Sequence, residues 1–170
     1  VIMNHVKEGV ELARKYKLNH RLIDFIEQHH GTSLVYFFYR RALENLEEGE
    51  EVKEEGFRYP GPKPNSRETA IVLLADSVEA AIRTLKEPDI RQIEDSVHKI
   101  INNKFIEGQL DECDLTLKDL EKISKVFIHI LNGIYHTRIT YPENTQGESS
   151  NPELKKEDPS KPPKDKKGGS

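Results

Sequence analysis

Tryptophan is missing from this 170-residue chain, and cysteine and methionine occur once each. A lone Cys113 excludes an internal disulfide and any zinc finger built on paired cysteines. It suits a reducing compartment, and with no CxxC partner in Asp111-Glu112-Cys113-Asp114 it is expected to be inert. Long apolar runs are also missing. The densest block, Ala70 to Ala75, stops far short of the roughly 20 residues a membrane helix needs. The opening Val1-Ile2-Met3-Asn4-His5 carries no basic segment and no signal-peptide core, and reads as a cut made inside a domain. Positive charge is not in excess either. The net charge is −4, and Glu44, Glu47, Glu48, Glu50, Glu51, Glu54 and Glu55 form a block that would repel a polyanion. No nucleic-acid polymer is expected as a partner.

What is present is a soluble globular balance, 35% hydrophobic and 33% charged. Residues 1–142 are expected to form one domain, and residues 143–170, rich in Pro, Ser, Lys and Glu, a disordered polar tail. No strand pattern or internal repeat stands out, so the expected class is all-α, a helical bundle. Apolar residues at helical spacing predict helices over about 4–17, 21–28, 34–46, 67–85, 89–105 and 117–137. Thr32 or Ser33 is the expected cap of the third, whose Val35, Phe37, Phe38, Tyr39 and Leu43 read as core. Ser66 is expected to cap the fourth, with Thr69 a poor reciprocal partner. That helix, apolar nearly all round between Ala70 and Ala75, should be central.

His29-His30-Gly31-Thr32 closes the second helix, and Gly31 stops it at once. The plain alternative for such a pair is two exposed helix-end residues, so partners decide. The link between the first two helices is short, which makes them antiparallel. His5 lies about thirteen residues before the turn, and the pair about eleven after it. At roughly 1.5 Å per residue their levels differ by only about 3–5 Å. Three histidines therefore converge at one end of a helical hairpin. Asp76, directly after the apolar block, would be costly there unless paired or bound to a cation. Three imidazoles and a carboxylate suit iron, manganese or zinc better than magnesium, with the metal activating water and steadying a phosphoryl oxygen. Lys63 and Arg67, beside a proline-rich loop and a helix N-terminus, could hold phosphate oxygens, with Thr32 a further substrate-binding candidate. His98, His129 and His136 have no convincing ligand spacing.

Several strings carry a resemblance. His5-Val6-Lys7-Glu8-Gly9-Val10 and Asp24-Phe25-Ile26-Glu27-Gln28-His29-His30-Gly31-Thr32 resemble the second half of an HD-superfamily phosphohydrolase domain. Phe57-Arg58-Tyr59-Pro60-Gly61-Pro62-Lys63-Pro64, Ala75-Asp76-Ser77-Val78-Glu79-Ala80-Ala81 and Gly108-Gln109-Leu110-Asp111-Glu112-Cys113-Asp114-Leu115-Thr116 narrow it. Together they look like the cytoplasmic HD domain of membrane-anchored bacterial phosphodiesterases that degrade cyclic di-AMP, over about residues 1–142. The HD-GYP branch matches less well.

The resemblance implies an HD-type helical bundle, truncated at its N-terminus, with two divalent metal ions, usually iron or manganese. Its second metal would take His5, His29 and His30, and its first metal Asp76. It implies in-line water attack on cyclic di-AMP, giving linear pApA. It places the parent protein at the cytoplasmic face of the bacterial membrane, reaching the bilayer only through upstream segments, and it allows a homodimer. One departure stands against it: the early histidine and the His-Asp dyad that names the superfamily are absent here. This chain alone is therefore expected to be inactive or to bind metal weakly. Two other readings compete, a non-catalytic nucleotide-binding HD module and a helical interaction domain with accidental histidines.

Overall fold

The computed structural model describes residues 3–47 and 51–136. The expected polar tail, and the 142/143 boundary, lie outside the described residues. Among the described residues six helices follow one another: α1 (Asn4–Lys15), α2 (His20–Gln28), α3 (Tyr36–Glu44), α4 (Arg67–Arg83), α5 (Ile90–Ile106) and α6 (Leu117–His136), with a short 3-10 helix at Glu54–Phe57. Leu34 and Arg58 form one isolated antiparallel bridge, and the described residues contain no strand. No helix among them is long and apolar enough to cross a membrane.

The core belongs to α4. Its Ala70, Leu73, Leu74, Val78 and Ile82 are buried, and they meet Ile93, Val97 and Ile101 of α5, Leu110 of the following loop and Leu120 of α6. Helix α2 packs against α1 on one side and α4 on the other, while α5 packs between α4 and α6. The α1–α2 contact is close enough that a Cβ at Gly9 would meet Ile26 at 2.9 Å. Ala, Leu and Ile at three- and four-residue spacing give α4 its buried stripe, but Ile71 and Val72 stay over a third exposed. The stripe on α6 divides likewise: Ile123, Phe127 and Leu131 pack on the core, whereas Val126, Ile130 and Ile134 are exposed.

The helix ends follow side-chain chemistry. Asn19 accepts from the Arg21 N–H and starts α2. At α5, Asp89 and Gln92 bond each other's backbone N–H. Thr69 does better than its residue type suggests. Ser66 Oγ accepts from the Thr69 N–H and Thr69 Oγ1 accepts from the Ser66 N–H, a complete capping box without Glu or Gln.

Two expectations fail at α3. Its N-cap is Val35, with no side-chain cap bond, and not Thr32 or Ser33. Both hydroxyls are engaged elsewhere: Thr32 with Gln109, and Ser33 as acceptor from Lys104 Nζ at 2.8 Å. The chain from 33 to 35 is meanwhile held extended, with Val35 N–H bonded to the Phe57 carbonyl and Tyr59 N–H to the Ser33 carbonyl. The aromatic cluster is not core either. No residue of α3 is buried, and Phe37 is 67% exposed. Helix α3 packs against the 3-10 segment, which is too short to cover an apolar face.

Candidate metal centre

His5 sits in the first turn of α1, His29 and His30 just past the last turn of α2, and the hairpin brings all three rings together. His5 Nε2 lies 3.3 Å from His29 Nε2 and 3.1 Å from His30 Nε2. The three ligand atoms lie within 4.8 Å of one another, the cluster of potential ligands found among the described residues. The far nitrogens of His29 and His30 are occupied. His29 Nδ1–H donates to the Ile26 carbonyl at 2.8 Å, and His30 Nδ1–H donates to Asp76 Oδ2 at 3.2 Å. A neutral imidazole that donates from Nδ1 carries its lone pair on Nε2. Two lone pairs thus lie beside His5 Nε2, close enough together to share an ion.

Asp76 comes from α4, in the middle of the helix, where the core-facing stripe turns to the surface. Sequence reading made it a metal ligand; its Oδ2 meets the outer nitrogen of His30. Carboxylates in that position orient a ligating imidazole and raise its basicity. The His30 hydrogen bond, outweighing partial burial, holds the Asp76 carboxyl below the usual carboxylate range. Burial, with the neighbouring His30, lowers the His29 pKa against the opposing bond to Ile26. His29 is therefore neutral at pH 7, the form that ligates. Asp76→Asn keeps the shape and an acceptor for His30 but removes the charge. We expect about a tenfold loss of zinc affinity by titration calorimetry, the low end of the range for an outer partner; unchanged affinity would make the contact incidental.

Tyr59 was invisible to sequence reasoning. Its ring stacks on His30 at 4.2 Å between centroids, 25° from parallel. The pairing of residues 33–35 with 57–59 delivers it there, reinforced by Arg58 donating to the Thr32 carbonyl at 3.0 Å. Burial, and then the Asp76 charge, push the phenol pKa up, so Tyr59 stays protonated. Lys104 was also missed. Burial depresses its pKa, while it bonds Ser33 and lies 3.8 Å from Glu107.

The phosphate-binding candidates are engaged with the α5–α6 loop. Lys63 Nζ lies 3.6 Å from Asp111 Oδ2, and Arg67 Nε donates to the Asp114 carbonyl at 2.7 Å. Thr32 bonds Gln109 through both its N–H and its hydroxyl. His98 Nδ1 pairs with Ser124 Oγ at 3.2 Å and His129 is exposed, while the side chain of His136 lies outside the described residues. Cys113 donates to the Leu110 carbonyl, and burial raises its thiol pKa.

No family model matches the chain. It is 49% identical over 146 residues to the cyclic-di-AMP phosphodiesterase PgpH of Bacillus subtilis, covering 86% of this chain and 20% of that protein. The fold agrees as well. The crystal structure of the Listeria monocytogenes phosphodiesterase PgpH HD domain, in complex with cyclic-di-AMP, aligns with a TM-score of 0.75 at 42% identity. This chain is part of an HD domain of the PgpH family.

The HD chain resembles PgpH of L. monocytogenes at 42% identity over 144 residues, covering 85% of this chain. It spans about a fifth of the length of these curated relatives, and 64% of the solved HD domain. The alignment with the solved domain covers 82% of the chain, and the all-helical HD-type fold expected from the sequence is the fold observed.

Proposed function

We propose that this HD chain contributes one metal site of a two-metal phosphodiesterase centre that hydrolyses cyclic di-AMP to pApA. The observation that carries the proposal is the convergence of three Nε2 atoms, two with lone pairs directed by Ile26 and Asp76. An all-imidazole donor set suits iron or manganese as well as zinc. A bound divalent ion would lower the pKa of water and stabilise charge on a phosphoryl oxygen.

The chain's own residues would do the rest. His5, His29 and His30 hold this ion, Asp76 fixes the His30 tautomer, and its carboxylate, 41% exposed, stands ready for the other ion of the pair, the one to which the resemblance assigns it. Tyr59 shields one face of His30. Lys63, Arg67 and Thr32 are candidates for substrate contact once their bonds to the α5–α6 loop are exchanged. No His-Asp dipeptide occurs in the chain. The remaining ligands are assigned to the third of the HD domain that this chain does not span, and the exposed apolar face of α3 fits such a neighbour. The parent protein would act at the cytoplasmic face of the bacterial membrane, as a monomer or a homodimer.

The test compares this chain with a version extended to the length of the solved HD domain. Both are loaded with manganese or ferrous iron and assayed for conversion of cyclic di-AMP to pApA. Turnover by the extended version only, lost in Asp76→Ala, is the expected result. Binding of cyclic di-AMP by the extended version without turnover would favour a nucleotide-binding signalling module instead.

A further inference from the structure

We propose that Gln28 and Gln109 are positioning residues that clamp the His29–His30 pair from its two sides and hold it in ligating register. This rests on the reading of the three histidines as metal ligands, and it concerns what keeps them aligned.

Both glutamines are almost sealed from solvent, at 2% and 1% exposure, in a chain where charged and amide side chains otherwise sit mostly at the surface. Gln28 is the last residue of α2, directly before His29. Its Oε1 accepts from the Asn65 N–H at 3.0 Å. Asn65 precedes Ser66, the N-cap of α4, so the bond ties the start of the histidine pair to the helix that carries Asp76.

Gln109 closes the other end. It comes from the loop after α5, and its Oε1 accepts from the Thr32 N–H at 2.9 Å. Its Nε2 donates to the Thr32 hydroxyl at 3.0 Å. The intervening Gly31 takes a φ of +53°, and a Cβ there would stand 2.5 Å from Gln109 Oε1. The amide is therefore packed directly on the turn that His30 enters.

Glutamine fits this task for a physical reason. Its amide offers an acceptor and a donor together, reaches far enough to bond backbone from another element, and brings no charge to be desolvated. A carboxylate would meet the backbone N–H but leave the Thr32 hydroxyl to supply its own proton. An aliphatic side chain would leave the Thr32 N–H without its partner. Between them the two glutamines couple the α2 end, the α4 start and the α5–α6 loop. The orientation of His29 and His30 is thereby set from the α4 start and the α5–α6 loop, which contribute no imidazole to the cluster.

The experiment uses the 170-residue chain and cobalt(II), whose visible d–d absorption reports ligand geometry independently of any turnover. Gln109→Leu and Gln28→Leu are each expected to lower cobalt affinity about 10–100-fold, the range for outer partners of metal ligands, and to alter the absorption band. Ile93→Ala, a core truncation at the far end of α5 from Gln109, controls for destabilisation alone: it should lower Tm yet leave cobalt affinity and spectrum as in the wild type. Thr32→Val, close in shape, should lose part of the affinity, and Thr32→Ser should retain it.

If Gln109→Leu fails to fold, Thr32→Val decides. Wild-type-like affinity and spectrum in folded glutamine variants, or in Thr32→Val, would overturn the clamp. So would an affinity loss in Ile93→Ala matching that of Gln109→Leu. Absence of cobalt binding by the wild-type chain would instead remove the metal-site reading beneath it.

Discussion

Replacing His29 by alanine is expected to weaken metal binding by at least about 100-fold, beyond the 10–100-fold range of outer-partner substitutions. Its Nε2 is one of three nitrogens within 4.8 Å, and its Nδ1 is already held by Ile26. Two imidazoles on an open surface cannot replace what three converging ones provide. The measurement is a thermal melt with and without zinc or manganese. Ligand at about 100 times its Kd stabilises a fold by about 2.7 kcal/mol. At about 2–4 °C per kcal/mol for a chain of this size, Tm should rise by about 5–10 °C. Chelation should reverse the rise, and His29→Ala should abolish it. His98→Ala, which removes the contact with Ser124 away from the cluster, should keep it. A metal-induced shift that persists in His29→Ala would place the ion elsewhere.

Acidification should act in the same direction. Burial lowers the His29 pKa in the folded chain, so the unfolded chain takes up a proton at that ring more readily. The contribution of His29 to stability is present above the ordinary imidazole pKa and is lost as pH falls through the folded value. Metal binding weakens over the same interval, because a protonated imidazole cannot ligate.

Gly31→Ala is the second large effect. A left-handed φ of +53° costs an L-residue about 1–2 kcal/mol, and forcing a methyl into a packed interior adds about 1–3 kcal/mol. That methyl would meet Gln109 Oε1 at 2.5 Å and Leu73 Cδ1 at 3.0 Å. Neither neighbour can yield easily, since Gln109 is bonded to Thr32 and Leu73 is completely buried. The expected loss is about 2–5 kcal/mol, against a total stability of about 5–15 kcal/mol for a typical domain. It should show as a lower urea midpoint at unchanged slope. Gly56→Ala provides the contrast, because nothing lies within 4 Å of its added Cβ, and it should change stability by less than about 0.5 kcal/mol. A Gly31→Ala chain as stable as wild type would mean that the turn relaxes without cost.

The histidine cluster was legible because its geometry is nearly local. A short link forces an antiparallel hairpin, the rise per residue sets the levels, and His5 meets the pair as expected. Asp76 was legible as a neighbour of the cluster, but its attachment to His30 Nδ1 was not, since spacing along α4 cannot say which nitrogen it faces. The aromatic run of α3 misled for a related reason. Hydrophobicity marks residues that gain from burial, yet burial needs a covering element, and the 3-10 segment beside α3 is only four residues long. Gln28 and Gln109 gave no signal at all. Each is an ordinary polar letter whose burial depends on backbone 37 or 77 residues away.

By itself the amino-acid order determined the six helices, most of their ends and the meeting of three imidazoles, because these follow from periodicity, capping and chain reach between near neighbours. Tertiary structure alone decided which apolar faces are covered, which ring nitrogens are taken, and how Tyr59 and the two buried amides surround the histidines. Those outcomes depend on which distant segments come into contact, and contact between distant segments is set by how the whole core packs.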